Sequence, residues 1–164
     1  MQLYNKLSAE ERRTLIRESG KERLTISFYQ YAHLGNPQLF RNHLFIAFDE
    51  LGVLGRIYVA HEGINAQLSI PADRFDEFKS FLDGIYFLEN VRLNIAREQD
   101  DESFLKLKVK VRPKIVADGL DDTSFDVTNK GKHVDAIEFN KLIDDPDTIL
   151  VNMRNHYETE IGHF

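Results

Sequence analysis

Arg56-Ile57-Tyr58-Val59-Ala60-His61-Glu62-Gly63-Ile64-Asn65-Ala66-Gln67-Leu68-Ser69-Ile70 reads as two short strands folded back on each other. Apolar and polar residues alternate over 56–60 and again over 65–70, as on a sheet with one buried face. Between them, His61-Glu62-Gly63-Ile64 has the makings of a tight turn in which Gly63 supplies a positive φ. A hairpin at the centre of a chain is informative once its flanks are read.

On the N-terminal side, Leu24-Thr25-Ile26-Ser27-Phe28-Tyr29-Gln30-Tyr31 is a β-rich alternating run. Asn36-Pro37 then opens a helix reaching about Leu51, with Pro37 in the first turn where its missing amide is harmless. Leu39, Leu44, Ile46, Ala47 and Leu51 furnish its expected apolar stripe. On the C-terminal side, Pro71 begins a helix with Phe75, Phe78, Phe81 and Leu82 at helical spacing. Strands follow at 91–96 and 104–112, with an acidic turn over 98–102. Between Thr25 and Ala96 the order is β-α-β-β-α-β, an α+β fold of the ferredoxin-like, split βαβ type, with 104–112 as an extra basic strand. Ahead of it, Ser8-Ala9-Glu10-Glu11 is a capping box for a leading helix over 9–18. Residues 115–133, rich in Gly and Asp-Asp breaks, read as a connector. A helix over 134–143 and a short apolar strand over 148–151 come next. The expected division is therefore 1–114, 115–133 and 134–164.

The chain has 164 residues, 42% hydrophobic and 29% charged, which fits a globular protein with a buried core. No apolar run approaches the roughly 18 residues of a membrane span, and residues 1–18 lack the apolar segment of a secretory signal. The cytoplasm is the expected location, with no membrane partner. The absence of cysteine removes disulfides, thiolate metal sites and thiol nucleophiles. The six histidines show no metal-ligand spacing, so neither a metal nor a cofactor is expected in this chain. A net charge of −6 gives no overall attraction to nucleic acid, so any RNA surface has to be a local patch.

Two such patches stand out. In Phe104-Leu105-Lys106-Leu107-Lys108-Val109-Lys110-Val111-Arg112, alternation puts Lys106, Lys108, Lys110 and Arg112 on one face, roughly 6.5–7 Å apart. That spacing is close to the phosphate repeat of an extended single strand. The plainer alternative is a solvated face or a lysine-guarded edge strand. Second, with Ile26, Phe28, Ile57, Val59, Ala66 and Leu68 facing the helices, the other side of the sheet presents Tyr29, Tyr31, Arg56, Tyr58, Asn65 and Gln67. Aromatic rings among polar and cationic groups are how sheets stack single-stranded bases. Here the plainer alternative is that another domain covers the tyrosines. His61 and Asn65 are site-adjacent candidates, although a lone histidine is more often structural than basic.

Near the C-terminus, Thr148-Ile149-Leu150-Val151-Asn152-Met153-Arg154-Asn155-His156-Tyr157-Glu158, ending in Ile161-Gly162-His163-Phe164, resembles the opening of a rhodanese domain. Together with Thr25-Ile26-Ser27-Phe28-Tyr29, Ala60-His61-Glu62-Gly63-Ile64-Asn65-Ala66-Gln67 and the run from Lys108 through Ile115-Val116-Ala117-Asp118-Gly119, this makes the chain similar to the bacterial rhodanese-related family (TrhO). That family hydroxylates the wobble uridine of transfer RNA. The resemblance implies a ferredoxin-like N-terminal domain, a rhodanese domain bearing an active-site cysteine, and a cysteine-rich C-terminal region. It implies an oxygen-dependent conversion of uridine to 5-hydroxyuridine, with molecular oxygen as co-substrate and the tRNA anticodon region as partner; electron donor and oligomeric state are left open. The implied cysteine lies downstream of Phe164, so no catalytic residue carries over, and the chain is expected to be a truncated, inactive piece. Asn152 stands where rhodanese openings usually carry Asp, keeping the shape and losing a charge that would pair with Arg154.

Three functions compete. The first is the RNA-contacting part of a tRNA hydroxylase, using Lys106, Lys108, Lys110, Arg112, Tyr29, Tyr31, Arg56 and Tyr58. The second is a scaffold module without RNA contact, whose tyrosine face packs on protein. The third is part of a sulfurtransferase.

Overall fold

The computed structural model describes residues 3–97, 102–116, 126–129, 131–152, 156, 160 and 162. They separate into two compact units, Met1–Asn129 and Lys130–Phe164.

The first unit carries the sheet. After the leading helix α1 (Ala9–Ser19), the order is β1 (Arg23–Tyr31), α2 (Pro37–Glu50), β2 (Leu54–Ala60), β3 (Gly63–Pro71), α3 (Phe75–Asp83), β4 (Asn94–Ile95) and β5 (Leu107–Val111). The sheet order is β4-β1-β3-β2-β5. β3 lies antiparallel between β1 and β2, and β4 lies antiparallel outside β1. This is the split βαβ arrangement expected from the alternating runs, and the fold class is α+β as read from sequence. β5 extends it at the far edge, parallel to β2.

Local signals act as expected at most boundaries. Ser8 Oγ accepts from Glu11 N while Ser8 N donates to Glu11 Oε2, closing the capping box of α1. Asn36 caps α2 through Leu39 N, with Pro37 in its first turn. Gly63 has φ +143°, and a Cβ there would sit 2.1 Å from the Gln30 carbonyl oxygen. Only glycine lets β3 start that close to β1.

The core fills the space between the sheet and the two helices. Ile26, Phe28, Ile57, Val59, Ala66 and Leu68 all face it and are buried, as alternation requires. Phe78 of α3 packs edge-on to Phe28 at 6.4 Å and tilted against Phe48 of α2 at 5.6 Å.

Several expectations need correction. The stripe of α2 runs through Leu44, Phe45, Phe48 and Leu51, whereas Leu39 is 65% exposed. Five residues at about 100° each put Leu39 roughly 140° around the helix from Leu44, off the buried face. Pro71 ends β3 and leads into a 3₁₀ turn (Ala72–Arg74), so the α-helix starts only at Phe75. The strand expected over 91–96 shrinks to Asn94–Ile95, an outermost strand paired on one side only. The basic strand expected over 104–112 is Leu107–Val111, leaving Lys106 and Arg112 just beyond its ends.

In the second unit, α4 spans Ala136–Ile143, with Asp135 accepting from Glu138 N as its cap. The strand expected over 148–151 does not form; these residues are irregular, and Ile149 is 87% exposed. A strand read from apolar character needs a hydrogen-bonding neighbour to exist, and none pairs with it among the described residues. Arg154 and Ala117-Asp118-Gly119, both singled out from the sequence, lie outside the described residues, as do residues 98–101 of the acidic turn and most of the final motif.

Candidate nucleic-acid interface

The two patches read separately from the sequence form one surface, because β5 pairs with β2. In parallel register, Arg56 lies beside Lys108 and Tyr58 beside Lys110. Across β2 and β3, Arg56 faces Gln67 and Tyr58 faces Asn65; across β3 and β1, Gln67 faces Ser27 and Asn65 faces Tyr29. The side of the sheet turned away from α2 and α3 therefore presents two transverse rows. One is Ser27–Gln67–Arg56–Lys108 and the other Tyr29–Asn65–Tyr58–Lys110. Adjacent strands sit about 4.8 Å apart, so each row is roughly 14 Å long, and the rows are about 7 Å apart.

Both ends of this surface are closed. In the row below, Leu54 and Ser69 are 3% and 0% exposed although they point to the same side. The path from β4 to β5 crosses there: Thr25 Oγ1 and Ser103 Oγ lie 3.4 Å apart, and Lys106 O accepts from Gly55 N at 3.0 Å. Glu102 ties this crossing to α1, accepting from Arg13 Nε at 2.7 Å and Arg17 Nε at 2.6 Å. Burial would raise the Glu102 carboxyl, but the two arginines outweigh it and hold the pKa below its ordinary value. A shallow cleft of about 260 Å³ remains between α1, the crossing and the sheet, lined by Ala9, Arg56, Phe104, Lys106 and Lys108 among others.

At the opposite end, the chain leaving β5 is clamped across the hairpin. Ile115 N donates to Glu62 Oε1 at 2.6 Å, and Ile115 O accepts from Asn65 Nδ2 at 3.2 Å. Ile115 itself is buried. Sequence reading missed Glu62; an acidic residue in a turn gives no hint that a remote amide will bury it.

Four cations lie together on this face without carboxylate partners among the described residues. Arg13, Arg17, Lys21, Arg74, Lys79 and Lys132 each have a carboxylate partner. Arg56, Lys106, Lys108 and Lys110 have none among the described residues. Arg112 stacks its guanidinium 5.5 Å from the centre of the Tyr58 ring. Tyr29 is 54% exposed and meets Tyr31 edge-on at 6.2 Å. A ladder of unneutralised cations therefore borders one exposed ring, Tyr29, and two half-buried ones, Tyr31 and Tyr58.

β5 is a sheet edge, but not a free one. Its outward groups at Leu107 are both satisfied by the Asn5 side chain, at 2.9 Å each, and Val109 O accepts from Arg41 Nε at 2.9 Å. These side chains occupy the positions another strand would need.

Residues 23–115 match the family described as UPF0176 acylphosphatase like domain. The chain belongs to that family. The matched UPF0176 segment covers all five strands and ends on clamped Ile115. The chain is also 52% identical over 163 residues to proteins named tRNA uridine(34) hydroxylase from Yersinia enterocolitica and Yersinia pestis. Those alignments cover 99% of this chain and 47% and 46% of the relatives. The chain thus spans about half the length of the curated relatives it matches.

The remaining candidates divide clearly. His61 Nδ1 donates to Leu34 O at 2.8 Å, bracing the turn against the loop before α2. Because a carbonyl only accepts, Nδ1 carries the proton, and the ring acts as a brace. Asn65 holds the Ile115 clamp. Asn152 is exposed in the second unit. Among the described residues no group of three or more His, Cys, Asp or Glu is placed to hold a metal, and no helix is long and apolar enough to cross a membrane.

Proposed function

We propose that this chain is the RNA-contacting N-terminal part of a transfer-RNA uridine hydroxylase of the kind its relatives are named for, acting in the cytoplasm. Its role is to hold the anticodon region through Tyr29, Tyr31, Arg56, Tyr58, Lys106, Lys108, Lys110 and Arg112. The observation that carries this reading is the register of β5 on β2, which joins unpartnered cations to the tyrosine-bearing side of the sheet in one continuous face. Phosphates supply affinity and bases supply selectivity, and the face offers groups suited to each. The chain contains no cysteine, so it brings no thiol to the chemistry the family resemblance implies. Uridine hydroxylation by this chain alone is expected to be absent.

Titration of an anticodon stem-loop against the chain at increasing salt tests the binding role. With all four β5 cations on phosphates, log K falls against log salt with a slope of about −3, at roughly 0.7 per contact for a single strand. Lys108→Glu with Lys110→Glu removes two of the four contacts and brings the slope to about −1.4 or shallower. A flat salt dependence in the unmodified chain refutes the reading and leaves the face to a protein partner. Mass analysis of transfer-RNA uridines from cells carrying the whole gene, a deletion and this chain alone tests the hydroxylase assignment separately.

A further inference from the structure

Building on that reading, we infer that the face accepts two bases and no more, one by stacking and one by its hydrogen-bonding edge. The limit comes from the two closures. Below the Arg56 row, Leu54 and Ser69 are buried under the crossing to β5. Above the Tyr58 row, Ala60 is buried and Glu62 holds the Ile115 amide across the hairpin. Among the described residues, two transverse rows keep exposed side chains, each headed by one cation on the edge strand, Lys108 and Lys110. A strand whose backbone follows β5 places successive phosphates near those two lysines and turns one base inward along each row.

The rows differ in chemistry. The Tyr58 row offers ring faces, Tyr29 being the more exposed, and stacking tolerates any base. The Arg56 row offers no ring. Gln67 presents an amide donor beside an acceptor, and Arg56 only donates. Neither has a hydrogen-bond partner among the described residues. Every base offers acceptors on its edge to such donors, so this row holds a base by its edge and the other by its face. The proposed ligand is therefore a short unpaired segment such as a loop, rather than an extended single strand.

Ten-nucleotide ribose-phosphate probes test this at constant charge, carrying no base, one uracil, two adjacent uracils or four. Affinity should rise at the first base and again at the second, each by about fivefold or more, the lower limit for one well-stacked base. The third and fourth should add no more than about twofold. Tyr29→Ala should remove one of the two gains and Gln67→Ala the other, both at exposed positions, with the salt slope unchanged. Replacing both uracils by difluorotoluene, which keeps the shape of the base and loses its edge acceptors, should cost the gain that Gln67→Ala removes. Continued tightening with four bases, or equal loss of both gains in either variant, overturns the two-base limit while leaving RNA binding intact. Failure of every probe and of the anticodon stem-loop to bind the folded chain overturns the RNA reading itself.

Discussion

The two sides of the central sheet are made from the same strands by the same alternation, yet they are held to opposite standards. Toward α2 and α3, the centre of the sheet is apolar and closed: Phe28, Phe48 and Phe78 interlock, and Ile57, Ala66 and Leu68 are fully buried. Toward the other side, the intervening residues are tyrosines, amides and cations, two of the cations set beside Arg56 and Tyr58 without a neutralising acid. Like charges in adjacent positions of a sheet destabilise it by a few tenths of a kcal/mol or more. One side is arranged for the fold and the other costs it something, which is the pattern expected where a surface serves a ligand.

Four measurements break or sharpen that contrast. Phe48→Ala, on the closed side, should cost about 3–5 kcal/mol in urea unfolding through lost burial and the cavity left behind; anticodon stem-loop affinity of the folded fraction should stay unchanged. A smaller loss, about 1–3 kcal/mol, is expected from Glu62→Ala, which leaves the buried Ile115 amide without its acceptor; hydrogen exchange at Ile115 should accelerate. Charge reversal at Lys108 and Lys110 should move stability by no more than about 0.5 kcal/mol, as for most exposed sites, yet remove most of the salt-dependent RNA affinity. Such a variant that unfolds the domain would erase the contrast. The smallest effect concerns pH. Because Glu102 has its carboxyl held below the ordinary 4.5 in the folded state, its contribution is present above that value. It fades as pH falls through the lowered pKa. A slight acid-side loss of stability that disappears in Glu102→Gln, read by thermal unfolding across pH 3–6, is the expected signature.

The order of strands and helices was legible because each run is long enough for its period to show: β1 and the 56–70 hairpin alternate cleanly, and Ser8, Asn36 and Gly63 punctuate them. What local pattern does not encode is which neighbour a strand takes. Nothing in 104–112 says that it lies parallel to β2, so the lysines and the tyrosines appeared as two unrelated features. The same blindness explains the tail: Ile149-Leu150-Val151 has strand composition, but composition supplies no partner. On α2, phenylalanines at 45 and 48 outcompeted Leu39 for the core because the helix can show the sheet only one stripe. The Glu62 clamp depended on a contact 53 residues away along the chain, beyond any windowed reading.

The Asn5 side chain occupies both outward hydrogen-bonding groups of Leu107, and Asn5 belongs to the few residues ahead of α1. Trimming those residues to tidy the N-terminus would uncover a short, flat ribbon of vacant amide and carbonyl positions next to the lysine ladder. Two trimmed molecules could then zip together along it, so the solubility of the domain at high concentration depends on Asn5, a residue outside every helix and strand.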